Sequence, residues 1–280
     1  MTVFCPFHVS LSLRAVHGDP ALLDAFLAQG LHPELGLDPV LMDAADPAWH
    51  RRIQGALAAA GVDVALHLPF FDLQPGAADA LIREASKQRL MRAMDVARGY
   101  RPTHLVGHAA YDRFLYIRSY ADWRDRAVQT WVEVLKSWPD HPPLHLENVH
   151  ETDPGTVAGL ALALRERLPE SAGRIGVCFD IGHWHSFAGG HALRNFDVWA
   201  EALAPVLTHL HLHDNDGTFD QHLAPGTGTI PWPTVFAALN GSGLTPTVTF
   251  ETHDPAQRRG IHPFLAAYAD AFPFVPTTTP

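Results

Sequence analysis

Histidine and aspartate are concentrated in one stretch of the chain, between Thr208 and Gly228. This stretch contains four histidines and three aspartates in twenty-one residues. Imidazole and carboxylate groups without thiolates are typical ligands of zinc, manganese and iron ions. Strand-like alternation places His211 on the same face as the histidines on either side of it, and Asp220 and His222 follow in a turn-rich segment, one residue apart. The stretch therefore predicts a metal-binding segment.

Eight strand-like runs alternate with stretches of helical period, which predicts parallel strands joined by helical crossovers. Eight such units in 280 residues match a barrel, for which about 250 residues is typical. No Ser/Gly-rich or charged linker divides the chain, so we predict an α/β fold in which residues 1–280 form one (β/α)8 TIM-barrel domain. The predicted strands are Val3–Ser10, Leu31–Leu37, Val62–Leu68, Thr103–Ala109, Leu144–Val149, Ile175–Ile181, Leu207–His213 and Thr247–His253. The longest predicted helices are Pro47–Ala60, Ala77–Arg98, Tyr120–Trp138, Pro154–Leu168 and Pro255–Ala271.

Residues that bind metals in proteins fall near the ends of successive predicted strands, at intervals of roughly 30 to 40 residues, the length of one barrel unit. The carboxyl ends of all strands of a barrel share one face, so these side chains are expected to converge on one mouth. The ring comprises His67, His108, Glu147, Asp180, His183, His211 and Glu251. By contrast, we expect only ordinary hydrogen bonds from His8, His209, His213 and His253.

The composition of the chain indicates which classes of binding partner are unfavourable. The formal net charge is −10, and no run of Lys or Arg exceeds two residues, which argues against a nucleic-acid partner. No apolar run reaches the roughly 18 residues that a membrane helix needs. The first residues lack the features of a signal peptide, so a cytoplasmic protein is predicted. Cys5 and Cys178 form neither a disulfide framework nor a zinc-type pair, and both are expected in the core.

The motifs around these residues resemble those of the xylose isomerase-like or endonuclease IV-like barrels (AP endonuclease family 2), which include sugar phosphate isomerases and epimerases. The resemblance covers nearly the whole chain. It rests on HLPF at His67, VGHAA at His108, LENV at Glu147, CFDIGH at Asp180 and His183, HLHDN…DQH…PGTGTIPW at His211, Asp220 and His222, and TFETH at Glu251.

The resemblance implies a site for two or three divalent transition metal ions, with zinc favoured over manganese or iron. Its four central residues, Glu147, Asp180, His211 and Glu251, would carry the catalytic ion. A second ion would be held by His183, Asp220 and His222, and a third by His67 and His108 beside Glu147.

This ligand set favours a metal-dependent hydrolase acting on a phosphodiester or phosphoester of a small molecule, with a cobamide as one candidate. If the four central residues alone bind one ion, the same mouth would suit a sugar or sugar-phosphate isomerase or epimerase. A third hypothesis is a binding module that has kept the fold and lost the catalytic activity. An apurinic DNA endonuclease is disfavoured, because no Arg/Gln/Tyr-rich loop follows the second strand, and Thr227 and Thr229 stand where relatives usually carry a glutamate.

Four further residues are predicted to contact a small, phosphorylated substrate. Glu34 ends the second strand in a Glu-containing segment that resembles those of sugar isomerases. Phe70 follows His67, and Tyr111 and Arg113 follow the fourth strand, where they suit an anionic group.

Overall fold

The computed structural model describes residues 7–268. Eight parallel strands close into a barrel, each paired with the next along the chain and the last paired with the first. The predicted (β/α)8 architecture is confirmed. The strands are β1 (His8–Ser12), β2 (Pro33–Gly36), β3 (Ala65–His67), β4 (Leu105–His108), β5 (Leu144–Glu147), β6 (Ile175–Asp180), β7 (Leu207–Leu212) and β8 (Thr247–Phe250).

Helices lie between the strands. The α-helices are α1 (Leu13–Gly18), α2 (Ala21–Leu27), α3 (Pro39–Ala44), α4 (Pro47–Ala60), α5 (Ala80–Tyr100), α6 (Arg113–Tyr116), α7 (Tyr120–Lys136), α8 (Pro154–Arg167), α9 (Ile181–His185), α10 (Gly190–Leu193), α11 (Phe196–Leu203), α12 (Trp232–Gly241) and α13 (Ile261–Ala267). Two short 3₁₀ helices cover Ala172–Arg174 and Gln257–Gly260.

Aspartate side chains begin several of these helices. Asp46 accepts a hydrogen bond from the main-chain N–H of Trp49 at the start of α4, and Asp153 accepts one from Gly155 at the start of α8. A proline follows each of these aspartates, where the missing N–H costs no helical hydrogen bond. The Asp-Pro pairs therefore set where these helices begin.

The observed elements differ from the predicted ones mainly at their ends. Strand β1 runs on to Ser12, whereas residues 3–6 of the predicted first strand lie outside the described residues. The predicted helix Pro255–Ala271 is shorter, since α13 covers Ile261–Ala267 and residues 269–271 lie outside the described range. Five helices of four to six residues, α1, α3, α6, α9 and α10, were not predicted, because so short a segment shows no clear helical period.

The apolar core lies between the barrel wall and the surrounding helices. Outward-facing strand residues such as Leu146 and Phe179 are fully buried there, against helical side chains such as those of Trp131 and Trp199. Cys178 is also fully buried, as predicted, whereas Cys5 lies outside the described residues. Within residues 7–268, no helix is both long enough and apolar enough to cross a membrane.

The inside of the barrel is unusually polar. Branched apolar side chains usually fill this space. Here His104, next to β4, lies 4.5 Å from His209 of β7, and 5.1 Å from His145 of β5, measured between ring centroids. Because β4 and β7 are not neighbours in the sheet, the first contact crosses the barrel interior. Glu34 and Thr249 are buried in the same layer.

We predict that Phe179→Ala destabilises the protein by about 3–5 kcal/mol, the usual cost of truncating a buried phenylalanine. Its ring is fully buried and stacked on Phe196 and Trp199, with centroids 5.4 Å apart in both pairs. Chemical unfolding followed by circular dichroism measures the change. Phe114→Ala is the control, because this ring is 82% exposed and its loss should change stability by less than about 0.5 kcal/mol. Equal stability of the two variants would contradict this packing.

Candidate metal centre

The nine predicted ligands meet at the carboxyl ends of the strands, which we call the mouth. Imidazole nitrogens and carboxylate oxygens of the set approach one another to between 2.7 and 3.9 Å. Six of the nine are buried, and the other three, His108, Glu251 and Asp220, have side chains that are 12%, 12% and 19% exposed. The set comprises His67, His108, Glu147, Asp180, His183, His211, Asp220, His222 and Glu251.

Glu147, the last residue of β5, links the groups of this set. Its Oε2 lies 3.0 Å from Nε2 of His67 and 3.3 Å from Nε2 of His108. Its Oε1 lies 3.6 Å from Nδ1 of His211 and 3.3 Å from Nδ1 of His183. Each oxygen therefore faces a different group of imidazoles, an arrangement that suits a carboxylate bridging two cations.

His211 lies at the centre of the mouth. Its Nδ1 is 3.2 Å from Oε2 of Glu251, 3.6 Å from Oε1 of Glu147 and 3.8 Å from Oδ2 of Asp180. This nitrogen and the named oxygens of Glu251 and Asp180 are buried without a hydrogen-bond partner among the described residues. Buried polar groups left unpaired are costly, and one cation between these atoms would satisfy them all. The donor set thus fits a divalent metal ion.

A second group forms where the loop after β7 folds back over the mouth. Oδ2 of Asp220 lies 2.7 Å from Nε2 of His222 and 3.2 Å from Nε2 of His183. His213 joins them, since its Nε2 is 3.6 Å from Oδ1 of Asp220 and 3.2 Å from Oδ1 of Asp180. Together, the ligand atoms of His183, His213, Asp220 and His222 lie within 4.8 Å of one another.

His213 corrects the sequence analysis, which expected an ordinary hydrogen-bonding histidine. Both of its ring nitrogens are buried without a hydrogen-bond partner among the described residues. The signal was present in the sequence, because alternation put His213 on the same face as His211. It follows the last residue of β7 directly, so it lies at the mouth and belongs with the candidate ligands.

Main-chain carbonyls decide which nitrogen of three histidines faces the centre. In each, Nδ1 lies at hydrogen-bonding distance from a carbonyl oxygen, which can only accept, so Nδ1 carries a proton and Nε2 is the nitrogen that can bind a cation once its own proton has left. The pairs are His67 with Leu68 (2.9 Å), His183 with Asn148 (2.9 Å) and His222 with Glu251 (2.7 Å). In each case Nε2 then faces a carboxylate, an arrangement that a bound cation makes attractive.

A cavity of about 580 Å³ adjoins the mouth. Its lining includes Phe70, Tyr111 and Arg113, three of the four residues predicted to contact substrate. His108 belongs to both regions, because its ring stacks on Phe70 with centroids 4.1 Å apart while its Nε2 faces Glu147. A ligand in the cavity would therefore lie directly beside the metal centre.

Glu34 does not line this cavity, and its contact with a substrate stays a prediction. Its side chain is 1% exposed inside the barrel. Register explains the difference: Glu34 pairs with Ala65 of β3, two residues below His67, so it lies one layer deeper than the mouth. There its Oε1 is 3.1 Å from Nε2 of His211, whose other nitrogen, Nδ1, faces the mouth.

The family follows from the sequence. Residues 33–271 match the family described as "Xylose isomerase-like TIM barrel". The chain belongs to this family. It is similar in sequence to the uncharacterized protein MJ1311 of Methanocaldococcus jannaschii. The two are 26% identical over 192 residues, which make up 68% of this chain and 64% of that relative. The chain thus spans less than two thirds of the length of this relative.

Solved structures share the fold of this xylose isomerase-like barrel. A D-tagatose 3-epimerase-like protein superposes with a TM-score of 0.75 at 20% identity, covering 95% of this chain and 98% of that one. Protein TTHB071 of Thermus thermophilus, soaked with zinc chloride, gives 0.70 at 23% identity over 95% and 97%. Endonuclease IV of Thermus thermophilus gives 0.64 at 18% identity over 94% and 99%. At such identities these likenesses establish the fold alone.

The ionisable groups in the mouth of this xylose isomerase-like barrel shift one another's pKa values. Burial alone would raise the pKa of Glu147 and Glu251, but the surrounding imidazoles hold both well below the usual value. Burial would lower the pKa of the histidines, but the carboxylates raise it well above normal for His183 and His211, and to about 9 for His222. The metal-free mouth thus keeps its carboxylates ionised and some histidines protonated at neutral pH.

We therefore predict that zinc binding releases protons. With a pKa of about 9, His222 is protonated below that pH, and its proton must leave before the ring can bind a cation. Calorimetric titration of the metal-free protein with zinc, in two buffers of different ionisation enthalpy, measures this release. We expect release at pH 7, less of it at pH 9.5, and weaker binding as the pH falls. Identical heats in the two buffers at pH 7 would contradict the assignment.

Proposed function

We propose that this protein is a metal-dependent hydrolase that cleaves a phosphodiester or phosphoester bond in a small molecule. One observation carries the proposal: two further groups of ligands flank the central one. His67 and His108 meet one oxygen of Glu147, while His183 and Asp220 with its neighbours form the other group. A single-ion site needs neither group, whereas phosphoryl transfer is the chemistry that two or three clustered ions serve best.

Two or three divalent ions fit the proposal, and the imidazole-carboxylate donor set favours zinc, with manganese or iron as alternatives. When bound, such ions neutralise charge on phosphoryl oxygens and make a water more acidic. The protein's own part is to hold the ligands in place. Glu147 supplies one oxygen to each side, and Glu251, Asp180 and His211 complete the central group. These four are the residues on which we expect activity to depend most strongly.

The cavity beside the mouth supports a small substrate with a planar or apolar arm. Phe70 and Tyr111 line it, and the exposed guanidinium of Arg113 lies at its rim, where it suits an anionic group. With a formal net charge of −10, the protein offers little attraction to a polyanion such as DNA. We therefore propose a phosphorylated small molecule, and a cobamide-type phosphodiester is one member of that class.

Epimerisation or isomerisation of a sugar or sugar phosphate is the second candidate. It needs only one ion, held by Glu147, Asp180, His211 and Glu251, with two glutamates to move a proton beside a carbonyl. Several solved structures with this fold carry epimerase names, among them the D-tagatose 3-epimerase-like protein. The flanking ligand groups are the reason that we rank this reaction second.

The first test of the proposal is enzymatic. Metal-loaded protein is incubated with bis(p-nitrophenyl) phosphate, a cobamide, abasic DNA and a panel of ketoses. We expect cleavage of the phosphodiester, falling by more than about 100-fold in His108→Ala and Asp220→Ala, since each removes a metal ligand. Asp197→Ala, which removes an exposed carboxylate on α11, serves as the control and should keep full activity.

The outcome that would overturn the proposal is also specific. Ketose interconversion that persists in His108→Ala and Asp220→Ala but is lost in Glu147→Gln needs only the central ion. That result would show that the protein is an epimerase or isomerase. Cleavage of abasic DNA in preference to the small phosphodiester would instead place the protein among DNA repair enzymes.

The second test counts ions. A triple variant, Glu147→Gln/Asp180→Asn/Asp220→Asn, removes one carboxylate from each part of the mouth while keeping side-chain size. Elemental analysis of wild-type and triple-variant protein, purified without chelators and desalted, should differ by two or three transition metal ions per chain. A difference near one would favour the epimerase, and no difference would show that the mouth binds no ion.

A further inference from the structure

A second cluster of imidazoles lies inside the barrel, one layer below the mouth. It consists of His104, His145 and His209, each at most 5% exposed, and one ring nitrogen of each lies within 4.8 Å of the others. Glu34 faces two of them, with its Oε2 3.4 Å from Nε2 of His104 and 3.6 Å from Nε2 of His209. Neither the proposed hydrolysis nor the epimerase alternative gives this cluster a role.

Threonine hydroxyls hold these rings at Nδ1. The pairs are His104 with Thr103 (3.3 Å), His145 with Thr208 (2.8 Å) and His209 with Thr247 (2.6 Å). Each of these hydroxyls also lies against a main-chain carbonyl. The carbonyls belong to Val64 (3.2 Å), Val177 (3.4 Å) and Thr208 (3.3 Å), in the same order. The hydroxyls thus fix the position of each ring, and on the far side of His209 its Nε2 lies 3.1 Å from the hydroxyl of Thr249.

The carboxylate of Glu34 lies beside these rings in the barrel interior. Its Oε2 faces Nε2 of His104 and of His209 and accepts from the hydroxyl of Thr249 at 2.7 Å. A buried carboxylate is stabilised by a cation close to it, and imidazole nitrogens gathered on the same side can complete the coordination of that cation.

We propose that His104, His145, His209 and Glu34 bind one divalent transition metal ion inside the barrel, separate from the ions of the mouth. Three imidazoles and a carboxylate form a ligand set that zinc accepts in tetrahedral geometry. Ligand atoms in such a site lie about 3.3 Å apart, given metal–ligand distances near 2.0 to 2.1 Å. The two carboxylate–imidazole separations, 3.4 and 3.6 Å, are close to this value.

Burial and coordination give this interior ion a structural role. Four protein ligands leave no open position for substrate, and all four residues are at most 5% exposed. The ion also fixes Glu34, whose other oxygen lies 3.1 Å from Nε2 of His211. This inference holds whichever reaction the mouth performs.

The triple variant with an emptied mouth tests the interior site. After desalting, we expect it to retain one zinc ion per chain by elemental analysis. Exchange for cobalt(II) should give the visible absorption of a four-coordinate site. Adding His145→Gln should remove this last ion, whereas adding His50→Gln should not. His50 is a matched control, since it is also buried but pairs with the hydroxyl of Tyr100 outside the barrel cluster.

Two results would overturn the proposal. One is a triple variant that folds, as judged by circular dichroism, yet holds no ion. The other is an ion that survives His145→Gln in the triple variant, which would place it at residual ligands of the mouth. If the variants fail to fold, anomalous diffraction from zinc-loaded wild-type crystals decides, by the presence or absence of a peak between Glu34, His104 and His209. Loss of the interior ion would leave the ion difference between wild-type and triple-variant protein unchanged, so the two proposals fail independently.

Discussion

The site depends on one recurring interaction: an imidazole donates its Nδ1 hydrogen to a main-chain carbonyl, so that its Nε2 faces a buried carboxylate. Carbonyl oxygens of Leu68 and Asn148 impose this on His67 and His183 at the mouth. In the metal-free protein the carboxylates raise the pKa of both rings, so a proton takes the position between Nε2 and the carboxylate oxygen that a cation would occupy. The hydrogen bonds of the protein therefore orient these rings for a cation before any ion is bound.

The barrel makes these interactions possible because it brings residues that are distant in sequence to one level. Glu147, Asp180 and His211 come from three consecutive strands, whose register is fixed by sheet hydrogen bonds. Asp220 and His222 come instead from the loop after β7, which folds back over the mouth through paired hydrogen bonds between Asp214 and Leu223. Strands thus hold the central group rigidly, and a loop supplies the outer one.

Much of this arrangement could be predicted from the sequence, whereas the depth of a residue in the barrel and its contacts with other loops could not. Alternation along each strand and the shared direction of parallel strands are enough to place His67, Glu147 and His211 at one mouth. Depth within the barrel is different, because it depends on the register between strands, which alternation does not fix. Glu34 was predicted one layer too high for this reason. His213 was judged as a single histidine, although only its contacts with Asp180 and the second group reveal its role.

The same interaction bears on the choice between hydrolase and epimerase. An enzyme with one central ion would keep a proton between Nε2 of His67 and Oε2 of Glu147. It would do the same where His183 and His222 face Asp220. Several ions would replace these protons and would also supply the charge that phosphoryl transfer requires. The flanking groups are therefore the part of the mouth on which our preference for the hydrolase rests.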